Sequence, residues 1–238
     1  RYTEHGIKER DGFIRERFRV GPDRVVRADP SLGELAVLIE PVSVVAKAWD
    51  HVERIAARAA FKPRRTLVTG AGPIGLFAAM IGAQRGLEVH VLDRVTEGPK
   101  PALVKDLGAA YHSDIEEADV MFDVVIECTG VGQLVFHAIE HTAPGGVMCL
   151  TGIASSQREI PLDASAINKE MVLNNTVIFG SVNAGARHYE LAERALSGAD
   201  RGWLERVITR RVPLDRWPEA LERHPDDVKT VITFDAAP

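Results

Sequence analysis

Three glycines in the run Gly70-Ala71-Gly72-Pro73-Ile74-Gly75, with Asp93 downstream, are the residues most plainly spaced to do chemistry. Residues 66 to 69 before them form a short β-branched run, and residues 76 to 84 after them are rich in alanine. A strand that turns on glycine into a helix puts unpaired backbone N–H groups, and the positive end of the helix dipole, at one point in space. That point attracts a diphosphate. Gly70 permits the tight turn, Gly72 lets the backbone approach the phosphates, and Gly75 lets helix and strand pack closely. Gly70, Gly72, Pro73, Ile74 and Gly75 are therefore expected around the pyrophosphate of a nicotinamide dinucleotide. The competing reading, a glycine-rich turn with no ligand, must treat strand, helix and acid as coincidence.

Asp93 closes the next strand, residues 89 to 92, where a carboxylate accepts hydrogen bonds from the adenosine ribose. A carboxylate there repels a 2′-phosphate, which favours NAD over NADP. Arg94 leaves both open: it is a solvated loop residue or the holder of that phosphate. Glu127-Cys128-Thr129-Gly130 ends a third strand, and Gly152 and Asn183 follow two more. Ligands of parallel sheets lie outside the C-terminal strand ends. Thr129 and Gly130 are thus expected along the cofactor's ribose, with Gly152 and Asn183 at the level of the nicotinamide.

The elements that position these residues alternate. Strands are expected at residues 66–69, 89–92, 124–127, 147–150 and 177–179, and helices at 76–84, 99–107 and 133–141. This alternation predicts a Rossmann-type doubly wound α/β fold, its parallel sheet covered on both faces. In residues 34 to 60, Leu38, Val42, Val45, Ala46, Trp49, Val52 and Ala56 recur three or four apart, as on one helix face beginning near Glu40-Pro41. Phe61 to Arg65 connects that helix to the sheet. Residues 13 to 27 partly alternate apolar with charged, which suits half-buried antiparallel strands. Helices are expected at 187–196 and 216–223, and strands at 207–212 and 229–234. That tail is expected to pair with the strands near the start, so the divisions are 1–60, 61–184 and 185–238.

Composition narrows the classes. A formal charge of −5 over 238 residues, with no dense basic block, argues against nucleic acid as a partner. No apolar run approaches a bilayer span, and the expected compartment is the cytoplasm. Cys128 and Cys149 sit in apolar strands and read as small core residues; two thiols cannot make a four-cysteine zinc site. Trp49, Trp203 and Trp217 read as packing residues. His51, His90, His112, His137 and His141 show no ligand spacing and are expected to be structural or exposed. The polar, irregular opening from Arg1 reads as part of something longer.

Several segments together resemble a known family. Tyr2-Thr3-Glu4-His5-Gly6-Ile7 with Gly12-Phe13, Ile39-Glu40-Pro41-Val42-Ser43-Val44, the glycine turn, Glu127-Cys128-Thr129-Gly130, Asn174-Asn175, Gly180-Ser181-Val182-Asn183 and His188 occur in order along nearly the whole chain. They are similar to the zinc-dependent medium-chain dehydrogenases, and among these to glucose 1-dehydrogenases. The resemblance implies hydride transfer from C1 of an aldose to NAD or NADP, with zinc polarising the reacting hydroxyl. It implies remnants of a GroES-like catalytic lobe at both chain ends. It puts Glu40 beside the zinc, Glu4 and His188 on sugar hydroxyls, and Asn183 beside the nicotinamide. Read without it, Glu40 is an acid at a helix start, Glu4 and His188 are solvated, and Asn174-Asn175 is a turn.

The family's cysteine and histidine zinc ligands are not among these residues. The chain by itself is therefore expected to bind cofactor but to turn over little sugar, and no catalytic residue is assigned. Two other functions remain open: a non-catalytic sensor of nicotinamide nucleotides, and a zinc dehydrogenase of another polyol or alcohol. A homo-oligomer is expected, joined through the strand edge near residues 177 to 182.

Overall fold

A computed structural model describes residues 3–59, 62–118, 120–154 and 159–234. Tyr2 and Phe61 lie outside the described residues. Two short strands open the chain, β1 (Glu4–His5) and β2 (Glu9–Arg10), and pair with each other. A 3-10 segment at Pro30–Leu38 then leads into α1 (Ile39–Ala56). From there strand and helix alternate: β3 (Arg65–Thr69), α2 (Pro73–Gln84), β4 (Glu88–Leu92), α3 (Pro99–Asp106), β5 (Ala110–His112), β6 (Phe122–Glu127), α4 (Gly132–Glu140), β7 (Thr142–Leu150), α5 (Ala164–Asn174) and β8 (Val177–Gly180). Two helices, α6 (Ala186–Ser197) and α7 (Arg201–Val207), precede a last pair of strands, β9 (Arg210–Pro213) and β10 (Thr230–Thr233).

The main sheet has six parallel strands in the order β5-β4-β3-β6-β7-β8. Chain direction across the sheet reverses between β3 and β6, which opens a crevice at their C-terminal ends. Strand side chains alternate faces. Val68, Val124, Ile126, Val147 and Cys149 join one apolar cluster with α1, α2, α6 and α7, while Leu67, Val125 and Met148 join another with Ala138 of α4. Both faces are covered, as the near-continuous apolar runs require. Inside the larger cluster the indole N–H of Trp49 donates to the Ala78 carbonyl at 3.2 Å, and that of Trp203 to the Leu103 carbonyl at 2.9 Å. Each ring thereby brings its polar atom into the core already satisfied. Trp217, by contrast, stays 49% exposed.

Three expectations need correction. Residues 13 to 27 form no strand; Phe13, Ile14, Phe18 and Val25 are exposed, because no described sheet edge offers that segment a partner. The tail does not pair with the start: β9 and β10 pair with each other. Val207 ends a helix rather than beginning a strand. The Asp200 carboxylate caps α7 by accepting from the Trp203 N–H at 2.7 Å, which turns Trp203, Leu204 and Val207 inward together. Helix α5 and strand β5 were not anticipated, since neither carries a strong apolar period, whereas the helix expected at 216–223 is a 3-10 segment at Leu214–Leu221. Asn175, in the left-handed conformation at φ 52°, makes the expected turn at the end of α5.

Candidate functional site

The glycine turn lies at the mouth of the β3–β6 crevice. Gly70 adopts φ +90°, a conformation that disfavours side chains. A Cβ on Gly75 would come within 1.7 Å of the Gly70 carbonyl oxygen, so the helix can sit this close only on a glycine. Gly72 is different: a Cβ there would meet nothing within 4 Å. The space over Gly72 is open, and α2 begins with no side-chain cap and with Pro73 in its first turn. The N–H groups of Ile74 and Gly75 thus stand at an uncapped helix start, as a cradle for an anion requires.

Asp93 is tied into this turn. One carboxylate oxygen accepts from the Ala71 N–H at 2.7 Å, the other from the Val95 N–H at 3.0 Å, and Lys100 Nζ stands 3.7 Å away. A part-buried network thus fixes the acid at the edge of the crevice, while Arg94 beside it is exposed. Across the crevice, Thr129 Cγ2 would lie 3.0 Å from a Cβ on Gly70, so the β3 and β6 turns touch. Gly130, at φ +67°, and Gly152 stack backbone on backbone: a Cβ on Gly152 would lie 2.2 Å from the Gly130 nitrogen. Gly70, Gly72, Pro73, Ile74, Gly75, Asp93, Thr129, Gly130 and Gly152 therefore gather at one end of the sheet.

The residues near the chain ends form a second group. Asn183, at φ 59°, follows β8 and donates from Nδ2 to the Glu4 carboxylate at 3.2 Å, across 179 positions of sequence. Glu40 is exposed in the first turn of α1, where Ser43 Oγ donates to its carbonyl at 2.6 Å. Tyr189 on α6 joins them, a residue with no signal in the sequence. Burial raises its hydroxyl above the ordinary value, and the charge of Glu40 adds to this; a hydrogen bond with Ser43 opposes, and Glu4 contributes further.

His188 sits beside that corner. The Gly185 N–H donates to its Nδ1 at 3.0 Å, so the proton is on Nε2, 3.6 Å from Asp50. Burial lowers its basicity against the pull of Asp50. Asp50, His51 and His188 bring one ligand-type atom each within 4.8 Å of one another. However, Arg187 and Arg54 each stand 2.9 Å from an oxygen of the buried Asp50 carboxylate. Burial pushes that carboxyl up, but the Arg187 hydrogen bond and the charges of Arg187, Arg54 and His188 outweigh it and hold the group below its ordinary 3.8. Two guanidinium groups occupy the place a cation would need. His51 is thus part of a cluster that spacing did not reveal. Burial pushes both thiols, Cys128 and Cys149, up to about 12, which leaves them as packing residues.

Residues 33–234 match the family model described as glucose dehydrogenase C-terminus. A glucose 1-dehydrogenase of Methanocella arvoryzae is 35% identical over 246 residues, an alignment covering 99% of this chain and 68% of that protein. One from Thermoproteus tenax is 38% identical, over 98% of this chain and 68% of its own length. The crystal structure of Haloferax mediterranei glucose dehydrogenase, in complex with NADP, Zn and gluconolactone, superposes with a TM-score of 0.92 at 29% identity, covering 99% of this chain and 69% of that one. The chain belongs to the glucose dehydrogenase family.

Proposed function

We propose that this protein transfers hydride from C1 of an aldose such as glucose or galactose to NAD(P). The observation that carries the reading is the uncapped start of α2 beneath the open space over Gly72, at the point where the sheet reverses. A bound nicotinamide ring supplies the hydride acceptor. The chain's own residues orient it: the Ile74 and Gly75 amides hold the diphosphate, Asp93 takes the adenosine ribose, and Thr129, Gly130 and Gly152 flank the second ribose. The Asp93 carboxylate favours NAD, with Arg94 and Lys100 close enough to tolerate NADP. In this reading residues 61–184 are the cofactor domain, while 1–60 and 185–238 serve the sugar. Glu4, Glu40 and His188 face its hydroxyls, and Asn183 links the sugar side to the nicotinamide.

The described residues do not make a zinc shell. Glu40 is a single exposed acid, and the Asp50 cluster is filled by arginine. One carboxylate does not hold zinc firmly, so no step is assigned to a metal here. The 238-residue chain is expected to bind NAD or NADP in a calorimeter and to oxidise glucose far more slowly than an enzyme does. Absence of heat with either nucleotide defeats the reading, and rapid turnover by this chain alone defeats the assignment of its missing ligands. Strand β8 is an edge of the sheet, with Val172, Leu173 and Val182 exposed nearby; it is the surface through which a homo-oligomer is expected to form, and light scattering of the purified protein measures this. Among the described residues, no helix is long and apolar enough to cross a membrane.

A further inference from the structure

Glu127, the last residue of β6, is wholly buried. Its Oε1 accepts from the Thr129 N–H at 2.6 Å, the Gly130 N–H at 2.9 Å, the Thr69 hydroxyl at 3.2 Å and the Thr129 hydroxyl. Both hydroxyls continue the network: the Cys128 N–H points to Thr69 Oγ1 at 3.3 Å and the Val131 N–H to Thr129 Oγ1 at 3.0 Å. The Glu127 carbonyl accepts from the Thr151 N–H at 2.8 Å, the Thr151 hydroxyl at 2.7 Å and the Gly152 N–H at 3.1 Å. One residue therefore ties together the ends of β3, β6 and β7. Its Oε2 has no hydrogen-bond partner, and a Cβ on Gly152 would lie 2.7 Å from it.

Stability alone does not account for this residue. A carboxylate removed from water with one oxygen unpartnered is a costly tie, and an apolar side chain in the same place would fill the volume without that cost. What the carboxylate does, and an apolar group cannot, is aim the Thr129 and Gly130 amides and set the gap between the β6 and β7 turns. Gly152 is a glycine where a Cβ would meet both the Gly130 backbone, at 2.2 Å, and that carboxylate, at 2.7 Å. We propose that Glu127 is the positioning residue for the nicotinamide half of the cofactor: it touches no ligand, and it fixes the backbone against which the second ribose and the ring are laid. The inference rests on the dinucleotide reading above and goes beyond it by separating the two halves of the cofactor.

The test compares ADP, which reports the adenosine and diphosphate half, with NAD and NADP, by calorimetry on the 238-residue chain. Glu127→Leu is expected to weaken NAD and NADP about tenfold while ADP stays within about twofold, because pre-organisation is lost on one side only. Glu127→Gln, which keeps an oxygen for the two amides, is expected to lose only about threefold on NAD. Should the leucine variant not fold, Glu127→Gln decides, by its loss of about threefold on NAD with none on ADP. Parallel losses on ADP and NAD, or NAD binding as tight as in the wild type, overturn the proposal. A wild-type chain that binds neither nucleotide overturns the dinucleotide reading itself, whereas one that binds both with Glu127→Leu unchanged overturns only the role of Glu127.

Discussion

The crevice at the glycine turn and the corner formed by Glu4, Asn183, Glu40 and Tyr189 lie in the same molecule but are built differently. Around the open space over Gly72 the crevice is tightly held: Asp93 by two backbone amides, Thr129 and Gly130 by Glu127, and Gly75 against the carbonyl of Gly70. The corner is held by single contacts between exposed and half-buried groups, such as the 3.2 Å bond from Asn183 to Glu4. A cofactor common to many reactions needs a preformed mouth, and short-range backbone packing can provide one. A substrate site assembled from both ends of a chain depends on how the ends meet, and this chain provides fewer ties for it.

That contrast is open to attack, starting where the packing is tightest. Gly75→Ala forces a Cβ to within 1.7 Å of a backbone oxygen. It is expected to cost about 3 kcal/mol of stability and to abolish binding of NAD, which urea denaturation and calorimetry read together. Asp93→Asn keeps one acceptor oxygen where the carboxylate has two. An NAD affinity about tenfold lower is expected, with NADP affected less because the charge facing a 2′-phosphate is gone. Equal losses on both would remove Asp93 from cofactor choice.

Asp50, paired with Arg187 and near His188 beside the corner, is tested by pH. Its carboxyl is held below the ordinary 3.8 in the folded protein, so its contribution is present at neutral pH and lost as pH falls through that value. Asp50→Asn is expected to be about 1 kcal/mol less stable than wild type at neutral pH, and the gap should close on acidification from about pH 5 downward. A gap that widens in acid contradicts the ion-pair account. Smallest of all, Glu4→Ala should change stability by no more than about 0.5 kcal/mol, since the half-buried side chain accepts a single hydrogen bond, from Asn183, and thermal melting reads this. A large drop would mean that the corner is as firmly built as the crevice.

The crevice was legible because its signals are local. A β-branched run, three glycines and an acid at a strand end each state a short-range requirement, and the alternation of strands and helices then dictates the sheet. Strand β5 and helix α5 were missed for the converse reason: three residues make a short strand, and α5 has no buried residue to mark a face. Residues 13 to 27 show how alternation misleads when the segment pairs with none of the described strands. Tyr189 and the Asp50–His51–His188 cluster carried no pattern at all, because α1 and α6 come together only after the chain has folded.

Sequence alone set the glycine turn, the acid after it and the parallel, doubly wound class of the sheet, since backbone conformation and apolar period are properties of neighbouring residues. Tertiary structure alone decided that Asn183 meets Glu4, that arginines rather than a cation take Asp50, and that Glu127 joins three strand ends. Those contacts span tens to hundreds of positions, and their geometry comes from how helices and strands pack, which no local spacing encodes.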